Sequence, residues 1–244
     1  MPVIAVIPAR YGSTRLPAKA LAEIGGVPMV VRVWRQVSMA RSIARVIVAT
    51  DDERIAAPVR AAGGEAMLTS AAHQSGTDRI AEVAAKVHAD IYINVQGDQP
   101  FTDPRDLDAV AAPMLTDASI DMATLATPIA DLEEFRNPTK VKVVCDAVGN
   151  ALYFSRSPIP HMRDGGMPKN ALRHIGVYAY RRDFLLKFAA LPEGVLERVE
   201  KLEQLRALEH GMRIRVAAAV ASPGPDVNTL ADVAAVGALL EAGR

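Results

Sequence analysis

The sequence contains almost no cysteine and no excess of charge of either sign. Cys145 is the single cysteine in 244 residues, so an intramolecular disulfide is impossible and a cysteine-based metal site is not expected. Cys145 ends the apolar run VKVVC and is predicted to be a small buried side chain. Lys plus Arg and Asp plus Glu number 28 each, and this balance predicts neither nucleic acid nor a membrane surface as a partner.

Long hydrophobic runs and the common nucleotide-binding motifs are also missing. No stretch is apolar over the length that spans a bilayer, and no basic and apolar leader precedes the first strand pattern. We therefore expect a cytoplasmic protein. Neither the G-x-x-x-x-G-K-[ST] spacing of a P-loop nor the G-x-G-x-x-G of a dinucleotide fingerprint is present.

What the sequence does contain is an alternation of β-branched runs and amphipathic segments. VIAVI (3–7), RVIVAT (45–50), AMLTS (66–70) and IYINVQG (91–97) have strand patterns, and the segments between them have helical periodicity. This order predicts an α/β fold with a mostly parallel sheet and helices on both faces. After residue 120 strand patterns follow one another, which predicts antiparallel pairing, with DAVGN as a hairpin turn. One long helix is predicted over 194–211, and a strand and a last helix follow it.

Polar residues follow three strands of the first half, where open α/β sheets bind ligands. The opening loop, PARYGSTRLPAKAL, places Arg10, Arg15 and Lys19 among small residues, a composition that suits a polyphosphate or an ordinary solvated loop. Asp98 in QGDQP is either a ligand for Mg²⁺ or a turn-capping residue. Ser75 in HQSGTDRI is either a helix N-cap or a contact to a nucleobase or ribose.

In the second half, RHIGVYAY predicts a strand that presents His174 and Tyr178 on one face, with Gly176 leaving a gap between them. Such a polar, aromatic floor suits a sugar, although a half-exposed strand gives the same pattern. Glu203 lies near the apolar stripe of the predicted long helix, where a carboxylate either pairs with a cation or faces a ligand. Arg156 is a candidate for either of these roles.

Seven segments in this order resemble one family over nearly the whole chain. They are IPARYGSTRLPAKAL, VATDDERI, HQSGTDRI, NVQGDQP, ALYFSRSPIP, LRHIGVYAYRRDFL and EKLEQLRALEHG. The family is the 3-deoxy-manno-octulosonate (Kdo) cytidylyltransferases. The resemblance implies one domain over residues 1–244 with a Rossmann-like core, an antiparallel sugar-binding and dimerisation subregion at about 130–200, and a homodimer. It also implies the reaction of CTP with Kdo to give CMP-Kdo and diphosphate, with Mg²⁺, for lipopolysaccharide or capsule synthesis.

The resemblance also implies site residues. The catalytic set is Lys19, Arg15 and Asp98. The nucleotide-binding set is Arg10, Ser13, Arg15, Lys19, Ser75, Asp78, Arg79 and Gln96. The sugar-binding set is Gln99, Arg156, His174, Tyr178, Glu203 and Gln204. His174 is expected to orient the sugar rather than to act as a base.

Two positions depart from the family pattern. Asn228 stands where the family has a second metal-ligand Asp, so the metal ligands are expected to be Asp98 with Asn228, or with Asp226 in its place. Asn228 also precedes a predicted helix and is a favoured N-cap residue. Gln99 replaces the more usual Glu. Gln99 leaves open the same reaction on an analogue such as 8-amino-Kdo, and Asn228 leaves open a weakened paralogue that still binds nucleotide. A different nucleotidyltransferase would share the type of opening loop but would not explain the sugar-side motifs.

Overall fold

The computed structural model describes residues 1–12, 16–222 and 224–241. The chain forms two compact units. The first comprises residues 1–108 with the C-terminal segment 224–241, and the second comprises residues 109–222. The single domain predicted over 1–244 stays a prediction.

Strands and helices alternate through most of the described chain. The strands are β1 (Val3–Ala9), β2 (Glu23–Ile24), β3 (Val27–Pro28), β4 (Arg45–Thr50), β5 (Glu65–Leu68), β6 (Ile91–Asn94), β7 (Met122–Pro128), β8 (Lys142–Cys145), β9 (Ala151–Ser155), β10 (Leu172–Arg181) and β11 (Arg215–Ala218). The helices are α1 (Met29–Val37), α2 (Glu53–Ala61), α3 (Gly76–Lys86), α4 (Pro104–Thr116), α5 (Leu132–Arg136), α6 (Arg182–Ala189), α7 (Val195–Glu200), α8 (Gln204–Glu209) and α9 (Leu230–Glu241). A short 3-10 turn spans Lys19–Leu21.

The first unit contains a parallel sheet in the order β6-β1-β4-β5. Strand β1 lies in its centre and is apolar and almost fully buried, as expected of a strand covered on both faces. The chain moves from β1 to β4 and β5 on one side and then returns to β6 on the other. Because parallel crossovers are right-handed, α1 and α2 cover one face and α3 covers the opposite face. The strand order reverses between β1 and β6, which is where ligands bind in sheets of this kind.

The second unit contains a mixed set of strands. Strand β11 runs parallel to β7, β7 pairs antiparallel with β10, and β8 pairs antiparallel with both β10 and β9. The predicted turn between β8 and β9 forms because the Asp146 carboxylate accepts hydrogen bonds from the backbone N–H groups of Val148 and Asn150, at 3.0 and 2.7 Å. The register of β10 against β7 shifts between Ile175 and Tyr178, so β10 contains a bulge.

The predicted α/β class with a mostly parallel sheet is confirmed. The long helix predicted over 194–211 is wrong: α7 ends at Glu200 and α8 begins at Gln204, because Lys201 takes the left-handed conformation with φ 53°. The periodicity of this segment continues through the break, so only tertiary contacts reveal it. The strand RHIGVYAY is more buried than a half-exposed strand: His174 and Tyr180 are buried, and Gly176 and Tyr178 on the same face are partly exposed. Within the described residues no helix has the length and apolar character needed to cross a membrane.

Candidate active site

A cleft of about 280 Å³ lies at the carboxyl ends of β1 and β6 in the first unit. Its lining includes five of the eight predicted nucleotide-binding residues, together with Asp98, the predicted metal ligand: Arg10, Lys19, Ser75, Arg79 and Gln96. The predicted residues Ser13 and Arg15 lie outside the described part of the chain. The topology accounts for this cleft, since the loops after β1 and β6 diverge at the point where the strand order reverses.

Lys19, Asp98 and Asn228 converge at this cleft although they are far apart in sequence. The Lys19 ammonium donates to Asp98 Oδ2 at 2.6 Å and to Asn228 Oδ1 at 3.4 Å. The side chains of Lys19 and Asp98 are only 19% and 24% exposed, so their attraction is stronger than that of a surface pair. Asp98 Oδ2 and Asn228 Oδ1 therefore both face the Lys19 ammonium.

Asn228 is not the N-cap of the last helix, which corrects the interpretation offered by its position. Thr229 takes that role: its hydroxyl accepts from the Asp232 N–H at 3.2 Å, and the Asp232 carboxylate accepts from the Thr229 N–H at 2.7 Å. The Asn228 amide is thereby left for Lys19. Asp226 Oδ1 instead accepts from Gln99 Nε2 at 3.0 Å, so the geometry favours Asn228 over Asp226 beside Asp98.

Helix α3 brings its N-terminus to the same cleft. Ser75 and Asp78 form a reciprocal capping box, with Ser75 Oγ accepting from the Asp78 N–H at 3.1 Å and Asp78 Oδ2 accepting from the Ser75 N–H at 3.0 Å. The N-cap prediction for Ser75 is therefore confirmed, and Asp78 serves the same cap. Their predicted contacts to the base and ribose stay predictions.

Arg79 is 3% exposed and needs partners to be buried. Its guanidinium donates to the Thr69 hydroxyl and to Asp51 Oδ2, the latter at 3.4 Å. Asp51 also accepts from the backbone N–H of Tyr11 at 3.2 Å, and so ties the loop after β1 to the end of β4. Asp51 was not among the predicted site residues. The sequence contains a signal that could have identified Asp51, because TDDER is one of the polar clusters that follow a strand.

The second unit contains the predicted sugar-binding residues other than Gln99, and His174 is central among them. The ring is buried and packs against Phe154 and Tyr178, with centroid separations of 4.9 and 5.5 Å. Thr124 donates its hydroxyl proton to the Val177 carbonyl at 2.8 Å and accepts from His174 Nε2 at 2.9 Å, which assigns the Nε2–H tautomer. Burial lowers the pKa of His174 to about 3, so the imidazole is neutral at neutral pH and is a poor base; its expected role in orienting the sugar stays a prediction.

Beside His174 the structure leaves space and polar groups. Apart from its two chain neighbours, no described residue comes within 4 Å of the place where a Cβ on Gly176 would stand, so the predicted gap is present. Tyr178 is buried enough that desolvation, with a contribution from the nearby Glu203 carboxylate, raises the pKa of its phenol. Gln204 is 3% exposed, and its Nε2 has no hydrogen-bond acceptor among the described residues. A buried amide N–H₂ without an acceptor is costly, so this group calls for a partner beyond the described residues.

Arg156 is held rigidly at the end of β9. Its guanidinium donates to the carbonyls of Glu200 (2.7 Å), Pro138 (3.2 Å) and Lys201 (3.4 Å). A guanidinium has five N–H donors, so two more remain for an anion. The predicted contact of Arg156 with a sugar carboxylate stays a prediction that this geometry permits.

Comparison with known proteins places these features in one family. A family model described as cytidylyltransferase matches residues 4–214. A curated 3-deoxy-manno-octulosonate cytidylyltransferase from Geobacter metallireducens is 54% identical over 226 residues, covering 88% of this chain and 89% of its own. One of the same name from Desulfatibacillum aliphaticivorans is 50% identical over 244 residues, covering 99% of both chains.

Solved structures agree with the sequence relatives. The structure of a CMP:2-keto-3-deoxy-manno-octonic acid synthetase complexed with CTP superposes with a TM-score of 0.94 at 45% identity and covers 100% of both chains. A 4-diphosphocytidyl-2C-methyl-D-erythritol synthase from Anaerococcus prevotii, at 15% identity and a TM-score of 0.66, shares the fold. The chain is an enzyme of the cytidylyltransferase family and belongs, within it, to the 3-deoxy-manno-octulosonate cytidylyltransferases.

Proposed function

We propose that this enzyme transfers the cytidylyl group of CTP to 3-deoxy-manno-octulosonate, giving CMP-Kdo and diphosphate. The observation that carries the proposal is the convergence of Lys19, Asp98 and Asn228 at the cleft of the first unit. The anomeric hydroxyl attacks the α-phosphorus, and diphosphate leaves. A triphosphate repels an incoming sugar acid, so the chemistry needs positive charge that masks the phosphates and aligns the atoms.

Lys19 and Arg10 supply the positive charge at the cleft. Lys19 binds phosphate oxygens and stabilises the charge that develops on them, as a preorganised donor does in a partly buried site. The oxygens of Asp98 and Asn228 already point at one cation, and this donor set fits Mg²⁺, which prefers oxygen ligands. Those two residues would hold the ion. When bound, Mg²⁺ acts as a Lewis acid on phosphate oxygens.

The sugar acid is assigned to the second unit. Support comes from the two remaining N–H donors of Arg156, the acceptor-less Nε2 of Gln204 and the open space beside Gly176. Arg156 receives the carboxylate in a planar, charge-assisted contact. Gln204 donates to a hydroxyl, and His174 with Tyr178 forms the floor. The Gln99 amide is engaged by Asp226, so its predicted contact with the sugar would require it to leave that partner.

The test is diphosphate release with CTP and Mg²⁺, with Kdo and 8-amino-Kdo offered separately. We expect release with Kdo, and no release by Asp98→Ala, whose circular dichroism should remain that of the wild type. Release with 8-amino-Kdo alone would move the specificity to that analogue. No release with either sugar, despite measurable CTP binding, would contradict the proposal and favour the weakened paralogue. Asn228→Asp would then show whether the missing carboxylate is the cause.

For the assembly we propose a homodimer. The resemblance to the family supports it, and Leu152 on β9 with Val195 and Val199 on α7, which expose 61%, 65% and 76% of their surface, offers apolar area that a second copy could cover. Sedimentation equilibrium should give twice the 26.1 kDa of one chain.

A further inference from the structure

A buried lysine in the second unit plays no part in the chemistry proposed above. Lys142 begins β8, and its exposed fraction is 0%. Its Nζ donates to the carbonyl oxygens of Asn137 (2.9 Å), Lys140 (2.6 Å) and Arg156 (2.5 Å). Three carbonyl acceptors require three N–H donors, so the group is the ammonium, with every hydrogen used. Burying a cation is expensive unless it is satisfied in this way.

These three contacts reach Arg156 by two routes. The first is direct, because Lys142 Nζ donates to the Arg156 carbonyl. The second passes through the 137–140 loop, which Lys142 fixes at both ends and whose Pro138 carbonyl accepts from the Arg156 guanidinium. Lys142 therefore constrains both the backbone and the side chain of Arg156.

Glu200 completes the arrangement from the other side. Its carboxylate accepts from the Ser155 hydroxyl at 2.6 Å and from the Arg156 backbone N–H at 2.9 Å. The backbone N–H, the backbone carbonyl and the guanidinium of Arg156 are thus all engaged. Lys142 and Glu200 therefore engage the backbone of Arg156 from opposite sides, one at its carbonyl oxygen and the other at its N–H.

The same contacts fix the break between α7 and α8. The Arg156 guanidinium donates to the carbonyls of Glu200, the last residue of α7, and of Lys201, its C-cap, which is where a cation is favoured. Lys201 is left-handed at this point, and Glu203 and Gln204 follow it at once. The position of Gln204 therefore depends on Arg156 being held in place.

We infer that Lys142 is a positioning residue for the sugar-acid site, acting through Arg156 and the α7–α8 break. This inference rests on the function proposed above. Lys142 touches no substrate in this role. Its loss is expected to let Arg156 and the segment that carries Gln204 move, which weakens the recognition of the sugar acid while leaving the CTP cleft of the first unit intact.

The experiment compares Lys142→Met with wild type and with Lys169→Met, a substitution at an exposed lysine of the same unit. Steady-state diphosphate release gives KM for Kdo, KM for CTP and kcat. We expect Lys142→Met to raise KM for Kdo at least tenfold with KM for CTP within twofold, and Lys169→Met to match the wild type. A lower melting temperature with both KM values unchanged would overturn the inference, since a merely structural lysine predicts that result.

A second variant keeps the inference testable if Lys142→Met does not fold. Glu200→Gln retains the size of the side chain and removes its charge, and it should raise KM for Kdo in the same direction. An unchanged KM for Kdo in that variant would contradict the inference. The activity of the wild type distinguishes failure of the proposed function from failure of the Lys142 inference. If the wild type does not turn over Kdo, the proposed function is refuted. If the wild type turns over Kdo and the variants are unaffected, only the role of Lys142 is refuted.

Discussion

Lowering the pH from 7 to 5 tests the environment of His174. The imidazole is buried against Phe154 and Tyr178, and burial lowers its pKa to about 3, whereas an unfolded histidine has a pKa of about 6.5. Protons therefore bind the unfolded chain first. The folded state loses stability as the pH falls below the unfolded value, and the loss continues until the pH reaches the folded value.

The magnitude follows from the two pKa values. At pH 5 the protonated form of the unfolded histidine outnumbers the neutral form by about 30 to 1, whereas the folded histidine stays neutral. This difference lowers the free energy of unfolding by about 2 kcal/mol. At pH 7 the same difference is only about 0.2 kcal/mol. His174 alone should therefore lower the free energy of unfolding by nearly 2 kcal/mol between these values.

The assay is urea unfolding of the wild type and of His174→Gln at pH 7 and pH 5. The glutamine can still donate to Thr124 but does not titrate, so its free energy of unfolding should fall by about 2 kcal/mol less than that of the wild type. His88→Gln, at an exposed histidine, serves as the control and should keep the wild-type pH dependence. Equal losses in the wild type and in His174→Gln would refute the description of His174 as a buried neutral ring.

Two further predictions concern the cleft and its backbone. Lys19→Ala should lower kcat by at least ~100-fold, as the loss of one charge-stabilising donor does, and unchanged kinetics would reject that role. Gly97→Ala should lower the free energy of unfolding by about 1–3 kcal/mol, because its Cβ would stand 3.0 Å from the Pro8 carbonyl oxygen. Gly176→Ala, where apart from its two chain neighbours no described residue comes within 4 Å, is the matched comparison and should stay within about 0.5 kcal/mol of wild type; equal losses in the two variants would contradict this packing argument.

The position of the nucleotide cleft could be predicted from sequence for a geometric reason. Parallel strands end at one edge of the sheet, so polar residues after successive strands meet there whatever their separation in the chain. Lys19 and Asp98 are found together as this geometry requires. The same rule does not distinguish the two aspartates that follow β4. Asp51 holds Arg79 and the loop after β1, whereas Asp52 caps α2, and only the folded chain separates these roles.

What the sequence could not provide was the choice between neighbours with equal propensity. Asn228 and Thr229 are both good N-cap residues, and in the folded chain Thr229 caps the helix while the Asn228 side chain accepts from Lys19. The break at Lys201 is of the same kind. A lysine with positive φ is unfavourable by itself, and contacts from Arg156, which is far from it in sequence, hold it.

The two departures from the family pattern lie in segments that the structure joins. The Asp98 carbonyl accepts from the Val227 N–H at 2.9 Å, which brings the segment around Asn228 against the loop that carries Gln99. At both positions an amide stands where the resemblance implies a carboxylate. At position 99 the amide of Gln99 can donate to the Asp226 carboxylate. A glutamate at this position would instead repel Asp226. At position 228 the amide keeps an oxygen toward Lys19 and removes one negative charge beside Asp98.

The pair of changes thus preserves the contacts of the segment while it lowers the negative charge around Asp98, the metal-ligand candidate. Without nucleotide, the enzyme should therefore bind Mg²⁺ more weakly than a relative that has both carboxylates, because the protein supplies less negative charge to the ion. When CTP is bound, its phosphates supply the remainder. Calorimetric titration of Mg²⁺ into the nucleotide-free enzyme and into Asn228→Asp measures this difference, and the variant is expected to bind the ion more tightly. Equal affinities would show that the charge at position 228 does not reach the metal.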